Sequence, residues 1–305
     1  MGNLPNRPIA WANHITKILE VVYGDDLSQR FPVRVAEVAK EISKNLFPED
    51  SINQIEGADL SDRFEGLLTP IPGEKTGWGI IYNSSIRSKG RQNFTLAHEF
   101  GHYLVHRKQY PEGIKCSRKD MMDWSSKQGQ VEQEANTFAS YLLMPRNDFE
   151  EQIKEKKVTL SLLNTLAERY EVSLTAAVLR WISFTDKRAM IVVGKDGFID
   201  WAWSSQPLLG SGIFYRPRQQ IIELPKSSLA ARRDPNFSNL EGVSHAKGVW
   251  LGNETVEEMT VISEEYDNLS ISLLVYPSLP KVGGYFHSND DGPDSYDWIT
   301  RNQLK

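Results

Sequence analysis

A chain of 305 residues is long enough for two domains. Its formal net charge of −5 shows none of the excess of basic residues expected of a broad nucleic-acid binder. Its single cysteine, Cys116, excludes an internal disulfide framework and favours a reducing compartment. The N-terminus has no basic head followed by an apolar run, and no apolar stretch approaches the roughly 20 residues that span a bilayer. We therefore predict a soluble cytoplasmic protein without membrane contact or direct nucleic-acid binding.

The first elements are predicted from apolar spacing and turn residues. Two helices are expected before residue 47, the second over about Val33 to Leu46, with apolar residues at spacings of three and four. Residues 48–77 are richer in Gly, Pro and Asp, which predicts irregular structure with short strands. The β-branched and aromatic run Trp78–Asn83 predicts a strand. A further helix follows, and Thr95 or Asn93 is the expected cap.

That helix carries the pattern His98-Glu-Phe-Gly-His102, in a chain with only six histidines. Two imidazoles four residues apart lie on one helix face, about 6 Å apart, and can both reach one tetrahedral metal. Glu99 lies about 100° round the helix, where it can hold a water molecule at the metal without ligating it. Gly101 is unfavourable inside a helix, which predicts a close backbone approach at that point.

A zinc site needs a third protein ligand, and two of its usual sources are excluded here. In the metzincin pattern Gly and His would follow His102 at three and six residues, but Val105 and Lys108 occupy those positions. His106 is about 12 Å along the helix axis from His98, too far for both nitrogens to lie about 2 Å from one metal. His106 is therefore predicted to lie beside the ligands or at the surface.

The third source is a carboxylate on the later helix Val131–Met144, which stops at Pro145. The inward stripe of this helix is small and apolar except for Glu132 and Asn136, and a glutamate there is costly unless it is paired or metal-bound. Glu132 is the predicted third ligand, with Asn136 as a candidate orienter of the site. Glu134 lies about 200° from Glu132 and is predicted to be a solvated surface carboxylate.

Two blocks of this sequence resemble the ImmA/IrrE family of bacterial zinc metallopeptidases. They are Arg91-x-x-Phe94-Thr-x-Ala97-His-Glu-x-Gly-His102 and Glu132-x-x-Ala-Asn136-x-x-Ala-x-x-Leu-Leu-Met-Pro145. The resemblance covers about residues 60–183. It implies zinc on His98, His102 and Glu132, with Glu99 as the catalytic carboxylate, in a helical, gluzincin-like site. Characterised relatives cleave a helix-turn-helix repressor, so the resemblance also implies a substrate of that kind.

The residue types themselves predict hydrolysis of a peptide bond. Zinc would activate a water molecule, while Glu99 accepts its proton and passes it to the departing amine. Replacement of Glu99 by Gln is therefore predicted to keep zinc and abolish turnover. A further donor to the oxyanion is expected, and four residues are candidates: Tyr103, Tyr110, His106 and Arg91.

Helices are predicted to continue over residues 146–184, and short β-type runs follow beyond residue 186. These runs are Ala189–Val193, Gln220–Leu224, Val249–Leu251, Met259–Ile262 and Leu269–Tyr276. Lys195-Asp-Gly197 predicts a hairpin turn between strands. Five aromatic residues of this region are predicted to pack in a small β core: Trp201, Trp203, Trp250, Tyr285 and Trp298.

The predicted fold class is α+β. A mainly helical, zincin-like metallopeptidase domain with a small sheet is expected at residues 1–186, and a mainly β accessory or sensor-like domain at residues 187–305. The predicted function is a zinc (Zn2+) metalloendopeptidase that cleaves a helix-turn-helix, DNA-binding transcriptional repressor and so induces stress-response or mobile-element genes.

Two alternatives stand beside this function. One is a non-catalytic, metal-stabilised regulatory protein that acts by binding, as half of a toxin–antitoxin or phage-defence pair. The other is hydrolysis of a small amide, which would need a closed pocket. Structural zinc sites are usually closed by a fourth protein ligand. The sequence offers no evident fourth ligand, and this favours the enzyme.

Overall fold

The computed structural model describes residues 4–60, 65–71, 77–115, 127–217, 219–232, 234, 237–263 and 269–278. These residues form two compact units, one containing residues up to 154 with 166–173, the other containing residues 155–165 with 174–278. Both helices and strands are present, so the mixed α and β class is confirmed. The predicted domain boundary at residue 186 stays a prediction. Cys116, Tyr285 and Trp298 lie outside the described residues.

The first unit contains most of the helices. They are α1 (Pro8–Tyr23), α2 (Leu27–Arg30), α3 (Val35–Leu46), α4 (Lys89–Val105), α5 (Lys127–Leu143) and α6 (Arg146–Ile153). The residues of α7 (Leu160–Tyr170) are divided between the two units after residue 165. The second predicted helix, about Val33 to Leu46, corresponds to α3, which begins two residues later because Arg34, at the N-cap position, has a non-helical backbone. The short helix α2 was not predicted; the side chain of Asp26 caps it by accepting a hydrogen bond from Ser28 N.

The helix that carries the histidine pattern begins earlier than predicted. α4 starts at Lys89, and Ser88 Oγ caps it by accepting a hydrogen bond from the backbone N–H of Arg91 at 3.4 Å. Thr95 and Asn93 are interior residues of the helix, so the predicted caps are wrong. The first turn of α4 is polar, and an apolar pattern therefore marks the helix only from its second turn onward.

A four-stranded sheet belongs to the same unit. Its strands are β1 (Ile52–Ala58), β2 (Gly66–Pro70), β3 (Trp78–Asn83) and β4 (Ile114–Lys115), in the order β1-β3-β2-β4. β1 and β3 are parallel, and the other two pairs are antiparallel. The predicted strand Trp78–Asn83 is confirmed. Leu68, Ile80 and Ile114 occupy matching positions on neighbouring strands and are buried.

The second unit contains helices α8 (Leu174–Ile182) and α9 (Gln206–Gly210) and a five-stranded antiparallel sheet. The strands are β5 (Ala189–Lys195), β6 (Phe198–Ser204), β7 (Ser238–His245), β8 (Val256–Ser263) and β9 (Leu269–Val275), in the order β6-β5-β9-β8-β7. The predicted hairpin at Lys195-Asp-Gly197 is confirmed. Asp196 and Gly197 both have positive φ, as a tight turn between twisted strands requires.

Two of the predicted β runs in this unit are not strands. Within Gln220–Leu224 only Glu223 forms an isolated bridge, and Val249–Leu251 is a loop. The apolar residues of the second run anchor the loop: Trp250 is buried, and its Nε1–H donates to Glu258 Oε2 at 2.9 Å. The buried Glu258 carboxylate also accepts hydrogen bonds from the backbone N–H groups of Leu229 and Ala230, so one side chain fixes several loops.

Candidate metal centre

The site forms where α4 and α5 pack closely against each other. A Cβ on Gly101 of α4 would lie 2.9 Å from Phe138 Cδ1 and 3.2 Å from Ala135 Cα, so a side chain there would push α5 away. The predicted close backbone approach at Gly101 is therefore confirmed. Ala135 and Ala139 are fully buried small residues, which lets the two helices come together beneath the histidines.

The three residues predicted as metal ligands are brought together by this packing. His98 Nε2 lies 2.9 Å from His102 Nε2 and 3.2 Å from Glu132 Oε2, and His102 Nε2 lies 3.5 Å from Glu132 Oε1. All three side chains are buried, and together they form a group that could hold a metal ion. The spacing of His98 and His102 in the sequence predicted two members of this group, and the position of Glu132 on the apolar face of α5 predicted the third.

The separations between these donor atoms suit zinc. Around a tetrahedral ion with ligands at about 2.0–2.2 Å, neighbouring donor atoms lie roughly 3.3–3.6 Å apart. The observed separations of 2.9, 3.2 and 3.5 Å are close to that range, the two carboxylate distances being to different oxygens of Glu132. Two imidazoles and one carboxylate also form a donor set found in catalytic zinc sites. The residues present therefore fit a zinc ion.

Asn136 orients the first histidine. Its Oδ1 lies 2.8 Å from His98 Nδ1, so Nδ1–H can donate to it and Nε2 faces the other two ligands. Burial lowers the pKa of His98, but the hydrogen bond and charge of Glu132, the charge of Glu99 and the contact with Asn136 together raise it to about 9. The cluster thus stabilises a positive charge at this position, which a bound dication would supply.

The other two members carry the charges that a metal ligand needs. Burial, with the charges of His98 and His106, lowers the pKa of His102 to about 4, although the Glu132 carboxylate acts in the opposite sense. Burial would raise the pKa of Glu132, but the nearby His102 and His98 hold it well below its usual range. At neutral pH, His102 is consequently neutral and Glu132 is ionised, the forms in which imidazole and carboxylate bind zinc.

Glu99 is buried next to the three predicted ligands and lies outside the group that could hold a metal ion. Its side chain is 1% exposed, and Oε2 has no hydrogen-bond partner within the described part of the chain. Burial raises the pKa of Glu99, and the Glu132 charge adds to the effect while His98 opposes it, giving a pKa of about 8. A carboxyl group with a pKa near neutrality can both accept and return a proton.

The first residue of β2 leaves room for Glu99. A Cβ on Gly66 would lie 2.6 Å from Glu99 Oε1 and 2.6 Å from Thr95 Cγ2, so only glycine fits there without movement of the carboxyl group. Sequence reasoning missed Gly66, which lies in a segment expected to be irregular and carries no side chain that could mark it.

The candidate oxyanion donors have other partners in the structure. Tyr103 is buried and donates its O–H to the Asp50 carbonyl oxygen at 2.6 Å. Arg91 forms an ion pair with Glu65. Tyr110 is half-buried and packs against the hydrophobic residues Ile114 and Val131. Because its hydroxyl is already donated to Asp50, Tyr103 is poorly suited to stabilise an oxyanion at the ligand cluster.

The fourth donor candidate, His106, contacts the predicted ligand His102. Its Nδ1 lies 3.1 Å from His102 Nδ1, as expected for a residue beside the site, and its Nε2 lies 3.0 Å from Glu134 Oε2. The Glu134 side chain is 50% exposed. The prediction of a solvated Glu134 is therefore incomplete, because its carboxylate also accepts a hydrogen bond from a buried histidine.

Comparison with known families agrees with this geometry. Residues 58–181 match the Peptidase_M78 family, described as the IrrE N-terminal-like domain, and this stretch contains all four predicted site residues. The match confirms the resemblance to the ImmA/IrrE metallopeptidases over that part of the chain and supports a peptidase. No protein with a curated description matches the chain. Within the described residues, no helix combines the length and apolar character needed to cross a membrane.

Proposed function

Starting from the IrrE N-terminal-like domain at residues 58–181, we propose that the protein is a zinc-dependent endopeptidase with a zincin-like site. His98, His102 and Glu132 are the proposed ligands, and Glu99 is the proposed catalytic carboxylate. The observation that carries the proposal is the buried Glu99 beside a buried His-His-Glu group. Such an arrangement pairs a metal site with a proton acceptor that is not a ligand.

Bound zinc would supply Lewis acidity towards a water molecule and a peptide carbonyl. The protein's own contribution begins with orientation: Asn136 holds His98 so that Nε2 faces the cluster. Glu99 then takes the proton of the attacking water and delivers it to the amine that leaves. Burial raises the pKa of Glu99 in the metal-free protein, and the charge of a bound dication would lower it towards the ionised form that accepts a proton. Gly66 keeps the space that the Glu99 carboxyl group needs.

A catalytic site is favoured over a structural one by the number of ligands. Structural zinc sites are usually closed by four protein ligands, whereas catalytic sites keep one position open. In the described part of the chain, the group that could hold a metal ion has three members. A buried glutamate with an unpartnered oxygen next to that group has no role in a purely structural site.

The substrate proposed is a protein, and more specifically a helix-turn-helix transcriptional repressor. The general class follows from the peptidase family, since a peptidase acts on peptide bonds. The repressor follows from the resemblance to ImmA/IrrE relatives and not from the geometry of the site. Cleavage of such a repressor would induce the stress-response or mobile-element genes that it controls, and this places the proposed action in the cytoplasm.

The proposal is tested by metal analysis combined with a cleavage assay. The native protein and the variants Glu99→Gln and His98→Ala are purified without chelators, and zinc is measured by mass spectrometry. Each is then incubated with the repressor encoded beside its gene, and the products are identified by mass. We expect near-stoichiometric zinc in the native protein and in Glu99→Gln, little zinc in His98→Ala, and cleavage by the native protein alone.

Two results would contradict the proposal at different points. Absence of zinc from the native protein would remove the metal centre. Cleavage by Glu99→Gln at the native rate would remove Glu99 from its catalytic role. Zinc in the native protein without cleavage of the repressor, or of an unfolded protein substrate, would favour the non-catalytic regulatory function.

A further inference from the structure

A chain of hydrogen bonds leads from one proposed ligand to the protein surface. His102 Nδ1 lies 3.1 Å from His106 Nδ1, and His106 Nε2 lies 3.0 Å from Glu134 Oε2. His106 is 2% exposed, whereas the side chain of Glu134 is 50% exposed. His102 and His106 are one turn apart at the end of α4, and Glu134 belongs to α5, which also provides Glu132.

The direction of these hydrogen bonds is set by the carboxylate. An ionised carboxylate can only accept, so His106 must carry its proton on Nε2. A His102 that binds a metal through Nε2 carries its proton on Nδ1, and the acceptor for that proton is His106 Nδ1, 3.1 Å away. With its proton on Nδ1, a neutral His102 has an unprotonated Nε2, the atom that lies closest to His98 and Glu132.

The opposite direction of donation is unfavourable at Glu134, the surface end of the hydrogen-bond chain. If His106 donated from Nδ1 to His102, a neutral His106 would direct the lone pair of Nε2 at the Glu134 oxygen only 3.0 Å away. Two acceptors at that distance repel each other. His102 would then hold its proton on Nε2, where the ligand lone pair must be, and metal binding would require its removal.

We propose that Glu134, acting through His106, fixes the tautomer of His102 that binds the metal. Both are positioning residues, and the inference rests on the zinc site of the proposed function. Carboxylates hydrogen-bonded to ligand histidines orient the ring and make it more basic, and their loss typically weakens metal affinity by about 10- to 100-fold. In this protein a second imidazole lies between the carboxylate and the ligand.

The test measures the zinc Kd by competition with a chromophoric chelator at a fixed pH. The variants His106→Leu and Glu134→Ala interrupt the chain at its middle and at its surface end, and each should weaken zinc binding by about 10- to 100-fold. His106→Gln is the conservative variant. Its amide oxygen can accept from His102 while its amide N–H donates to Glu134, so zinc affinity should return close to the native value.

Controls separate this effect from damage to the fold. His14→Leu and Glu20→Ala change an exposed histidine and an exposed glutamate of α1 and should leave the zinc Kd unchanged. Thermal unfolding of each metal-free variant checks that the fold is kept. Glu134 is half exposed, so its replacement by alanine is tolerated even if His106→Leu destabilises the protein.

The outcomes distinguish this inference from the proposed function. Unchanged zinc Kd values in Glu134→Ala and in a folded His106→Leu would overturn the inference, while native zinc binding and peptidase activity would stand. Weaker binding in both variants with rescue by His106→Gln would support it, even if no peptidase activity were found. Failure of the native protein to bind zinc would overturn the metal centre and the inference together.

Discussion

At the scale of single residues, the site is a cluster of ionisable groups that are buried together and therefore shift one another. His98 has a pKa of about 9, which means that it holds a proton at neutral pH when no metal is present. Because Nδ1–H donates to Asn136, the additional proton lies on Nε2, the atom that would bind zinc. Metal and proton consequently compete for the same cluster, and metal binding is linked to pH.

We expect zinc affinity to rise with pH up to about 9, the pKa of His98 in the metal-free protein. Below that pH His98 is protonated and zinc must displace the proton, so the affinity should change by about tenfold per pH unit. The measurement is zinc titration calorimetry from pH 7 to 9 in buffers of different ionisation enthalpy.

A pH-independent zinc affinity, with no proton released at pH 7, would contradict this assignment. The raised pKa of His98 fixes the sign of this dependence. Because His98 is protonated in the metal-free site below its pKa, zinc affinity falls as the pH falls. His102 does not add to this dependence between pH 7 and 9, because burial lowers its pKa to about 4.

The fit between Gly66 and Glu99 provides a second test at this scale. A Cβ at position 66 would lie 2.6 Å from Glu99 Oε1, so Gly66→Ala should displace the carboxyl group while leaving the three ligands in place. We expect zinc stoichiometry to be kept and kcat to fall by about 10- to 100-fold, since catalysis depends on placement to within about 1 Å. Metal analysis and cleavage rates check both parts.

The matched control for Gly66→Ala is Gly210→Ala. A Cβ at Gly210 meets nothing within 4 Å, so this variant should cleave at the native rate. Native kcat in Gly66→Ala would show that Glu99 tolerates the added methyl group, and the close approach would then have no catalytic role.

At the scale of elements, the distance between α4 and α5 decides whether three ligands can meet. Gly101→Val would place new atoms against Phe138 and the backbone of Ala135, where a single Cβ already comes within 2.9 Å and 3.2 Å. We expect the free energy of unfolding of the metal-free protein to fall by about 2 kcal/mol. Zinc affinity should fall as well, because Glu132 moves away with α5.

Urea denaturation and zinc titration of Gly101→Val measure the two effects separately. Gly210→Val adds the same side chain at an open position and should change neither quantity strongly. A Gly101→Val protein that unfolds at the native urea concentration and binds zinc normally would show that the helices can separate without cost to the site.

Much of this element-scale arrangement follows from sequence patterns, because the chemistry demands them. The spacing of His98 and His102 requires a helix, and an isolated Glu132 on an apolar face requires a partner. The strand β7 could not be found in this way, since it lies at an edge of its sheet and none of its eight residues is buried. It therefore lacks the buried apolar face on which prediction depends.

Contacts between separate elements were also hidden from sequence reasoning. The link between His106 and Glu134 joins the end of α4 to α5, and no periodicity within either helix relates the two residues. The place of Gly66 against Glu99 depends on where β2 begins. Such pairings are consequences of tertiary packing, whereas sequence patterns report the face of one element at a time.

At the scale of the whole molecule, the formal net charge of −5 bears on the kind of protein that can approach the site. A helix-turn-helix repressor binds the phosphate backbone of DNA and carries basic residues for that purpose. A chain of net negative charge attracts such a partner over distances comparable to the Debye length. The proposed substrate and the charge of the protein are therefore compatible.

This attraction predicts how cleavage depends on salt. As ionic strength rises from about 0.05 to 0.5 M, screening should lower kcat/KM for the repressor while kcat stays constant, because encounter weakens and the chemical step does not change. A short uncharged peptide that contains the cleavage site serves as the control, and its kcat/KM should be insensitive to salt. Equal salt dependence for both substrates would mean that charge steering plays no part, and recognition would then have to come from contacts close to the cut bond.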